Sequence, residues 1–560
     1  MLYPDIHLAI PDGARYERFS PRKGETYLRY RVRSFHDQNG KKKHVRVCIG
    51  KIIKDAETGV EYLCPNKDYY TKLMNLPLPV AAVVKSRGKT ASVKHPASVT
   101  YSELSESVGF GYMIACWSIV KELGLDSLLE QCFGSLAPSI IVAGAFFAAG
   151  APGGLTNIDH FTRKNMCFTN KVMGSDDLCE LYSNMPQSMR NEFFMKWIKR
   201  CCENDFVCYD VTSISNYSER LPFVAWGYNR DKEPLQQFNV GMFCTIKSQM
   251  PVYFCQYNGN INDFTNFPYV AKQAKDIGLG TSAKITLVID GGVAVPETIA
   301  EAVDCGFDLV VGAPCDFGVN VKDSILQWRS SVLADKDVIL LDNEAVRYCE
   351  QPFTIGRVNS QLMMFKLPSS TLTQEASLVA LINRMEAELS ERKRMSKAGM
   401  EKYMPFFKFA LHDDGSFSFE RDQYILHQAL LMCGCFAIFC TRDDLDCEQV
   451  LIVYRAKDCV EKAFAMLKND ILDERVRTKS LESTNGKLFL AFIGLIIRKC
   501  LDRKLRTYLS KRRIGLDSAI DRLADIRCRR TEGSWVLEKA MTKQQKELVE
   551  VLQLPVGYLT

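Results

Sequence analysis

The chain has few histidines and no cysteine pattern that would organise a metal or disulfide framework. Its seven histidines are scattered along 560 residues, which leaves little support for a histidine-centred triad or a His-rich metal site. Its 21 cysteines are many, but the number is odd, the spacing irregular and no C-x-x-C pair occurs. Zinc-site spacing is absent too, so the expectation is reduced, mostly buried thiols in a cytoplasmic protein. No basic segment followed by an apolar run opens the sequence, as a signal peptide would require. The longest apolar runs, Ile140 to Ala151 and Leu488 to Ile497, fall short of the ~20 residues that span a bilayer. No Gly-rich phosphate loop, dinucleotide fingerprint or nucleophile elbow stands where its structural context would require it, which argues against a metabolic enzyme. A strong charge of one sign is also missing: the net charge is only +6.

What remains is the composition of an ordinary globular protein, 47% hydrophobic and 25% charged, long enough for two to four domains. The basic residues bunch at both ends. Between Thr26 and Ile49 the sequence alternates, with Leu28, Tyr30 and Val32 on one face of a strand and Arg29, Arg31 and Arg33 on the other. Asn39-Gly40 marks a turn and a second alternating run follows. This reads as a basic β-rich region over 1–66 whose arginine face is either solvated or laid along DNA phosphates. A linker is expected over 67–100 and a helical domain, a candidate DNA contact, over 101–204.

From residue 205 the texture changes. FVCYDVTSI, Phe238–Lys247 and Pro251–Tyr257 read as three strands and Asp263–Asp276 as a helix. KITLVID, a helix near Pro296–Cys305 and DLVVGAP then read as strand, helix, strand. That is the order of an α/β, ribonuclease-H-like core, expected over 205–314 and 422–500. It is interrupted by a mostly β insertion over 315–421 and followed by a basic helical region over 501–560.

Two aspartates stand at the ends of apolar strands, Asp210 in VCYD and Asp290 in LVID, where packing alone does not favour them. A third acid lies in YRAKDCVEKAFAMLK. On a helix, Val460, Phe464, Leu467 and Ile471 make a core stripe, with Tyr454, Glu461 and Lys468 in a line beside it. Asp210, Asp290 and Glu461 together make a trio suited to two divalent cations in phosphoryl transfer. Hard oxygen donors favour Mg²⁺, with Mn²⁺ as a substitute, over zinc.

The stretch from Tyr454 resembles the Y-x2-R-x3-E-x6-K signature of DDE insertion-sequence transposases, with Tyr454, Lys457, Glu461 and Lys468 in the four places. YDVTSIS, QFNVGMF, PVYFCQYNGNINDFT, IDGGVAVPETIAEAVDCGFDLVVGAP and SKAGMEKY are similar to further blocks of that family, so that the likeness covers roughly residues 109 to 500. The resemblance implies that Asp210, Asp290 and Glu461 are catalytic metal ligands and that Tyr454, Lys457 and Lys468 position DNA phosphates. It implies cleavage at transposon ends and transfer of the 3′-hydroxyl into target DNA, by a homodimer in a synaptic complex with double-stranded DNA, in a prokaryote. Trp328 is a candidate to hold a flipped base, or else a core residue. Two departures stand out: Lys457 where arginine is usual, and Gly291 after Asp290 where arginine is common. They motivate an alternative, a catalytically weakened, transposase-derived DNA-binding protein. A nuclease on the same core is a third reading.

Overall fold

The computed structural model describes the greater part of residues 10–68 and 107–555. Residues 1–9, 69–106 and 556–560, and short stretches such as 37–41, 55–60, 217–220, 229–232, 315–320 and 473–475, lie outside the description. The expected turn at Asn39-Gly40 and nearly all of the expected linker fall in those parts. The chain divides into two compact units, Met1–His95 and Pro96–Thr560.

The first unit is an antiparallel meander of four strands, β1 (Tyr16–Arg22), β2 (Glu25–His36), β3 (Lys42–Lys54) and β4 (Glu61–Pro65). Its central pair, β2 and β3, is the hairpin expected from the alternation. Leu28, Ile49, Ile52 and Leu63 form its core, with Tyr30 packed against them. The strict alternation, however, does not hold. The β2–β3 register shifts between Leu28 and Arg29 and again between Arg31 and Arg33. Irregularities of this kind re-aim the side chains around them, and Val32, expected on the apolar face, is 46% exposed. Arg29 lies over the Phe19 ring at 3.4 Å, so its planar charge is partly spent within the sheet. Arg18, Arg46 and Lys51 pair with Glu61, Glu17 and Glu25.

The second unit is mixed α/β. Its described part begins with β5 (Ser107–Gly109) and a set of helices between Gly111 and Cys201, of which Gly111–Glu122, Ala137–Ala148 and Ser175–Ser183 pack on the Leu481–Arg512 helix. That helix is buried through its first half because LFLAFIGLII carries no charge. Gly494 lets it approach the Ala137–Ala148 helix, since a Cβ there would lie 2.7 Å from Cβ of Phe147. Further along, Arg498, 1% exposed, is held by Asp470 at 2.9 Å and Asp517 at 2.6 Å and donates to the Ala148 carbonyl at 2.9 Å. Leu125–Ala148 has the length and the mean hydropathy (1.5) of a membrane span, but it is 67% buried inside the protein, as a core segment is.

Among the described residues the main sheet has nine strands. In chain order they are β6 (Phe206–Ser215), β7 (Gln237–Thr245), β8 (Pro251–Asn258), β9 (Thr286–Ile289), β10 (Asp308–Ala313), β11 (Val338–Leu341), β12 (Glu344–Ile355), β13 (Val358–Lys366) and, after a hairpin of β14 (Phe407–Leu411) and β15 (Phe417–Arg421), β16 (Cys435–Cys440). Across the sheet the order is β11-β12-β13-β16-β10-β9-β6-β7-β8. Only β6–β9 and β9–β10 are parallel. Parallel neighbours need crossovers, supplied by the Asp263–Asp276 and Pro296–Asp304 helices.

The 315–421 segment, expected to be a mostly β insertion, is divided. β11–β13 extend the main sheet, whereas the Pro368–Ser390 helix and the β14–β15 hairpin build a separate core around Ile382, Leu389, Tyr403 and Phe407. Trp328 sits in the main core, 6% exposed, so it is a packing residue and not an open platform for a base. The region after residue 500, expected to be helical, also carries a hairpin, β17 (Arg527–Thr531) and β18 (Ser534–Leu537), that pairs with β5.

Candidate active site

The site grows from one register. Tyr209 of β6 lies beside Ile289 of β9 in a parallel pair. One residue on, Asp210 and Asp290 therefore stand on neighbouring chains, about 4.8 Å apart in backbone spacing. Asp210 does not end its strand, as the sequence suggested. It sits in mid-strand opposite Met242, and β6 continues to Ser215. An aspartate inside a pleated strand has no packing reason to be there.

The third acid comes from the far side of the 315–434 excursion. Residues 454–471 do not form the single straight helix expected from their periodicity. Cys447–Arg455 and Asp458–Ala465 are separate helices broken at Ala456-Lys457, and Met466–Ile471 is a π-helical turn. The apolar stripe is nonetheless buried: Val460, Phe464, Leu467 and Ile471 are all 5% exposed or less. The break replaces the expected line of three side chains with a cluster. Tyr454 donates its hydroxyl to Asp290 Oδ1 at 3.1 Å. Lys457 Nζ stands 3.4 Å from Asp290 Oδ1 and 3.4 Å from Glu461 Oε1, so one ammonium bridges two of the three acids. Glu461 lies in the first turn of its helix, where the helix dipole favours a negative charge. Lys468, seven residues further on, is buried in the π-helical turn at 9% exposure.

The electrostatics follow from this cluster. Burial works against the Asp290 carboxylate. The Lys457 charge, the Gly291 N–H and the Tyr454 hydroxyl outweigh it and hold its pKa below the ordinary aspartate value. Burial likewise disfavours the Lys457 ammonium, but Asp290 and Glu461 overcome it and raise its pKa. Tyr454 is pushed well up, first by burial and then by the Asp290 charge, and stays a hydrogen-bond donor.

Two further features hold the parts together. Cys208, two residues before Asp210, and Cys459, two before Glu461, bring their sulfurs to 3.2 Å in the buried seam between β6 and the helix. Gly312 in β10 makes room for Tyr454: a Cβ there would fall well inside contact of the Tyr454 hydroxyl and 3.1 Å from Cζ. Sequence reasoning missed Gly312, because a glycine in DLVVGAP reads as an ordinary small strand residue. Its clearance is visible only once Tyr454 is placed.

Among the described residues, no three Asp, Glu, His or Cys side chains stand close enough to cage a metal ion. By chemistry the acids suit a hard divalent cation, and Asp290 and Glu461 already gather around a positive charge, that of Lys457. Arg29 and Arg31 belong to the first unit, and the Arg33 side chain lies outside the described residues.

No family model and no curated protein matches the chain. A similar solved structure is the cryo-EM structure of a piggyBac transposase synaptic complex with hairpin DNA. It is 10% identical with a TM-score of 0.33, over 73% of this chain and 76% of that one. A likeness at that level establishes neither the family nor the chemistry of this chain.

Proposed function

We propose that the chain is a DDE-type DNA transposase, cleaving at the ends of its element and joining the freed 3′-hydroxyls to target DNA. The observation that carries this reading is the meeting of Asp290 with Tyr454, Lys457 and Glu461, which lie far along the sequence from it, beside the register position of Asp210. The order β8-β7-β6-β9-β10, in which β6–β9 and β9–β10 run parallel, supports a ribonuclease-H-like core. Asp210, Asp290 and Glu461 are the groups that would hold two Mg²⁺ or Mn²⁺ ions. When bound, such ions activate the attacking water or 3′-hydroxyl and stabilise the leaving oxygen. Tyr454 fixes the Asp290 carboxylate, and Lys457, released from the acids, is within reach of a phosphate. Double-stranded DNA carrying terminal inverted repeats is the proposed partner, held by two copies of the chain.

The bridge made by Lys457 favours a second reading, a DNA-binding protein of the same descent that does not cut, because the ammonium already satisfies two acids. Cleavage of labelled DNA carrying the repeats that flank the coding sequence, with Mg²⁺, separates the two. Nicking at the repeat boundary that vanishes in Asp210→Ala establishes the transposase. Binding without nicking by either protein establishes the second reading, and cutting without strand transfer or end preference points to a nuclease.

A further inference from the structure

Beside the outer strand of the main sheet, on the Gln187–Cys201 helix, lies a second charged feature, separate from the acid cluster. The Gln187–Cys201 helix, β8, the Asp263–Asp276 helix and the start of the Leu481–Arg512 helix enclose a cavity of about 150 Å³ lined by Arg190, Asn191, Phe194, Gln256, Gln273 and Asn485. Arg190 is half-buried there, and among the described residues its guanidinium has neither an ion pair nor a hydrogen bond, burial being the only influence on its pKa, pushed down to about 10. Buried arginines are normally paired, since an uncompensated charge in a desolvated site is costly. The Gln256 side-chain carbonyl beside it is buried without a partner as well. Its amide can turn to present either oxygen or NH₂ to the cavity. No carboxylate lines the cavity; its other polar side chains are amides, the Tyr253 phenol and the Cys255 thiol.

We propose that this cleft is a phosphate-binding site, with Arg190 as its anchor and the phosphate supplied by a DNA strand. A guanidinium fork matches two oxygens of a phosphate, and amides on separate elements suit the remaining oxygens of a tetrahedral anion better than a flat carboxylate. The cleft lies at the sheet edge, on the side of the sheet that carries Asp210. Phe254 of β8 pairs with Met242 of β7, which pairs with Asp210 of β6, and Gln256 is two residues beyond Phe254. Gln256 therefore shares a sheet face with Asp210, two strand spacings across and two residues along, about 12 Å away. Met242 is fully buried and Phe254 packs against Phe194 and Phe492, so a strand reaching from the acids to this cleft would run over the helices that cover this face and not along the sheet itself. The DNA source rests on the transposase reading; the phosphate chemistry of the cleft does not.

The test uses the full chain in a Glu461→Gln background, comparing Arg190, Arg190→Met and Arg190→Lys. Duplex DNA binding is measured across a salt series, and urea unfolding with and without inorganic phosphate. With DNA as the source, Arg190→Met lowers the slope of log affinity against log salt by about 0.9, one phosphate contact, and Arg190→Lys restores it. A phosphate-induced rise in the unfolding midpoint that Arg190→Met abolishes, with no change in slope, retains the phosphate site and overturns the DNA source. No slope change and no phosphate response overturn the proposal. So does a fall in the ligand-free midpoint of Arg190→Met, since an unpaired charge contributes nothing to the empty fold. If the parent protein binds no DNA, the transposase reading fails while the phosphate arm still tests the cleft.

Discussion

Replacing Gly312 with alanine adds one methyl group at the point where β10, Gly291 and Tyr454 meet. The new Cβ would overlap the Tyr454 hydroxyl and come within 3.1 Å of its Cζ and of the Gly291 nitrogen. Backbone lies on one side, so the ring must move. Overpacking of this kind costs about 1–3 kcal/mol, and it also detaches the hydroxyl from Asp290. Tyr454→Phe loses that hydrogen bond alone, about 1 kcal/mol with an acceptor as open to water as Asp290. The same change removes the oxygen on which the alanine methyl collides. The double variant is therefore expected to resemble Tyr454→Phe, with a coupling of about 1–2 kcal/mol between the two positions. Urea unfolding of the four proteins measures it, and Mg²⁺-dependent nicking should follow the same pattern. Strictly additive losses would refute the assignment of Gly312 as the clearance for Tyr454.

Lys457→Met removes the counter-charge of Asp290 and Glu461 and should tighten Mn²⁺ binding about tenfold, about 1.4 kcal/mol, as read by the free Mn²⁺ resonance signal; unchanged affinity would mean that the ammonium does not compete with the metal. The same substitution has a pH signature. Because the Asp290 pKa is depressed in the folded protein, its stabilisation is present above the ordinary aspartate value of about 3.9 and lost as the pH falls through the lower folded value. The stability gap between wild type and Lys457→Met should thus be steady near neutrality and close below about pH 4. Arg498→Met strands the Ala148 carbonyl and leaves Asp470 and Asp517 without their partner, which should lower stability by about 1–3 kcal/mol in urea unfolding.

The centre of the main sheet was legible because its strands are short apolar runs closed by turns, and the two crossover helices carry their own periodicity. FVCYDVTSIS and KITLVID declared both their strands and their misplaced aspartates. What was hidden depends on partners distant in sequence. Nothing in Ala456-Lys457 is a helix breaker: neither residue is Gly or Pro, and the break is stabilised by the contacts that Tyr454 and Lys457 make with Asp290. The register shifts in β2 leave no mark on an alternating string, so Val32 looked like its neighbours. Arg190 read as one more basic residue on an amphipathic helix, since the absence of a counter-ion is a property of the packed surroundings. The extension of the sheet by β11–β13 was invisible for the same reason. Strands announce themselves locally, but their neighbours do not.

That extension has a consequence for any shortened form of the protein. β16 enters the sheet between β10 and β13, hydrogen-bonded on both sides. Removing the 315–421 segment would not restore a smaller native core; it would strip one flank of CFAIFC, six residues without a single charge. A bare, uncharged flank of this kind invites pairing between molecules. The excursion thus serves as a shield against self-association, and trimmed versions should be recovered as aggregates unless charge is introduced along β16.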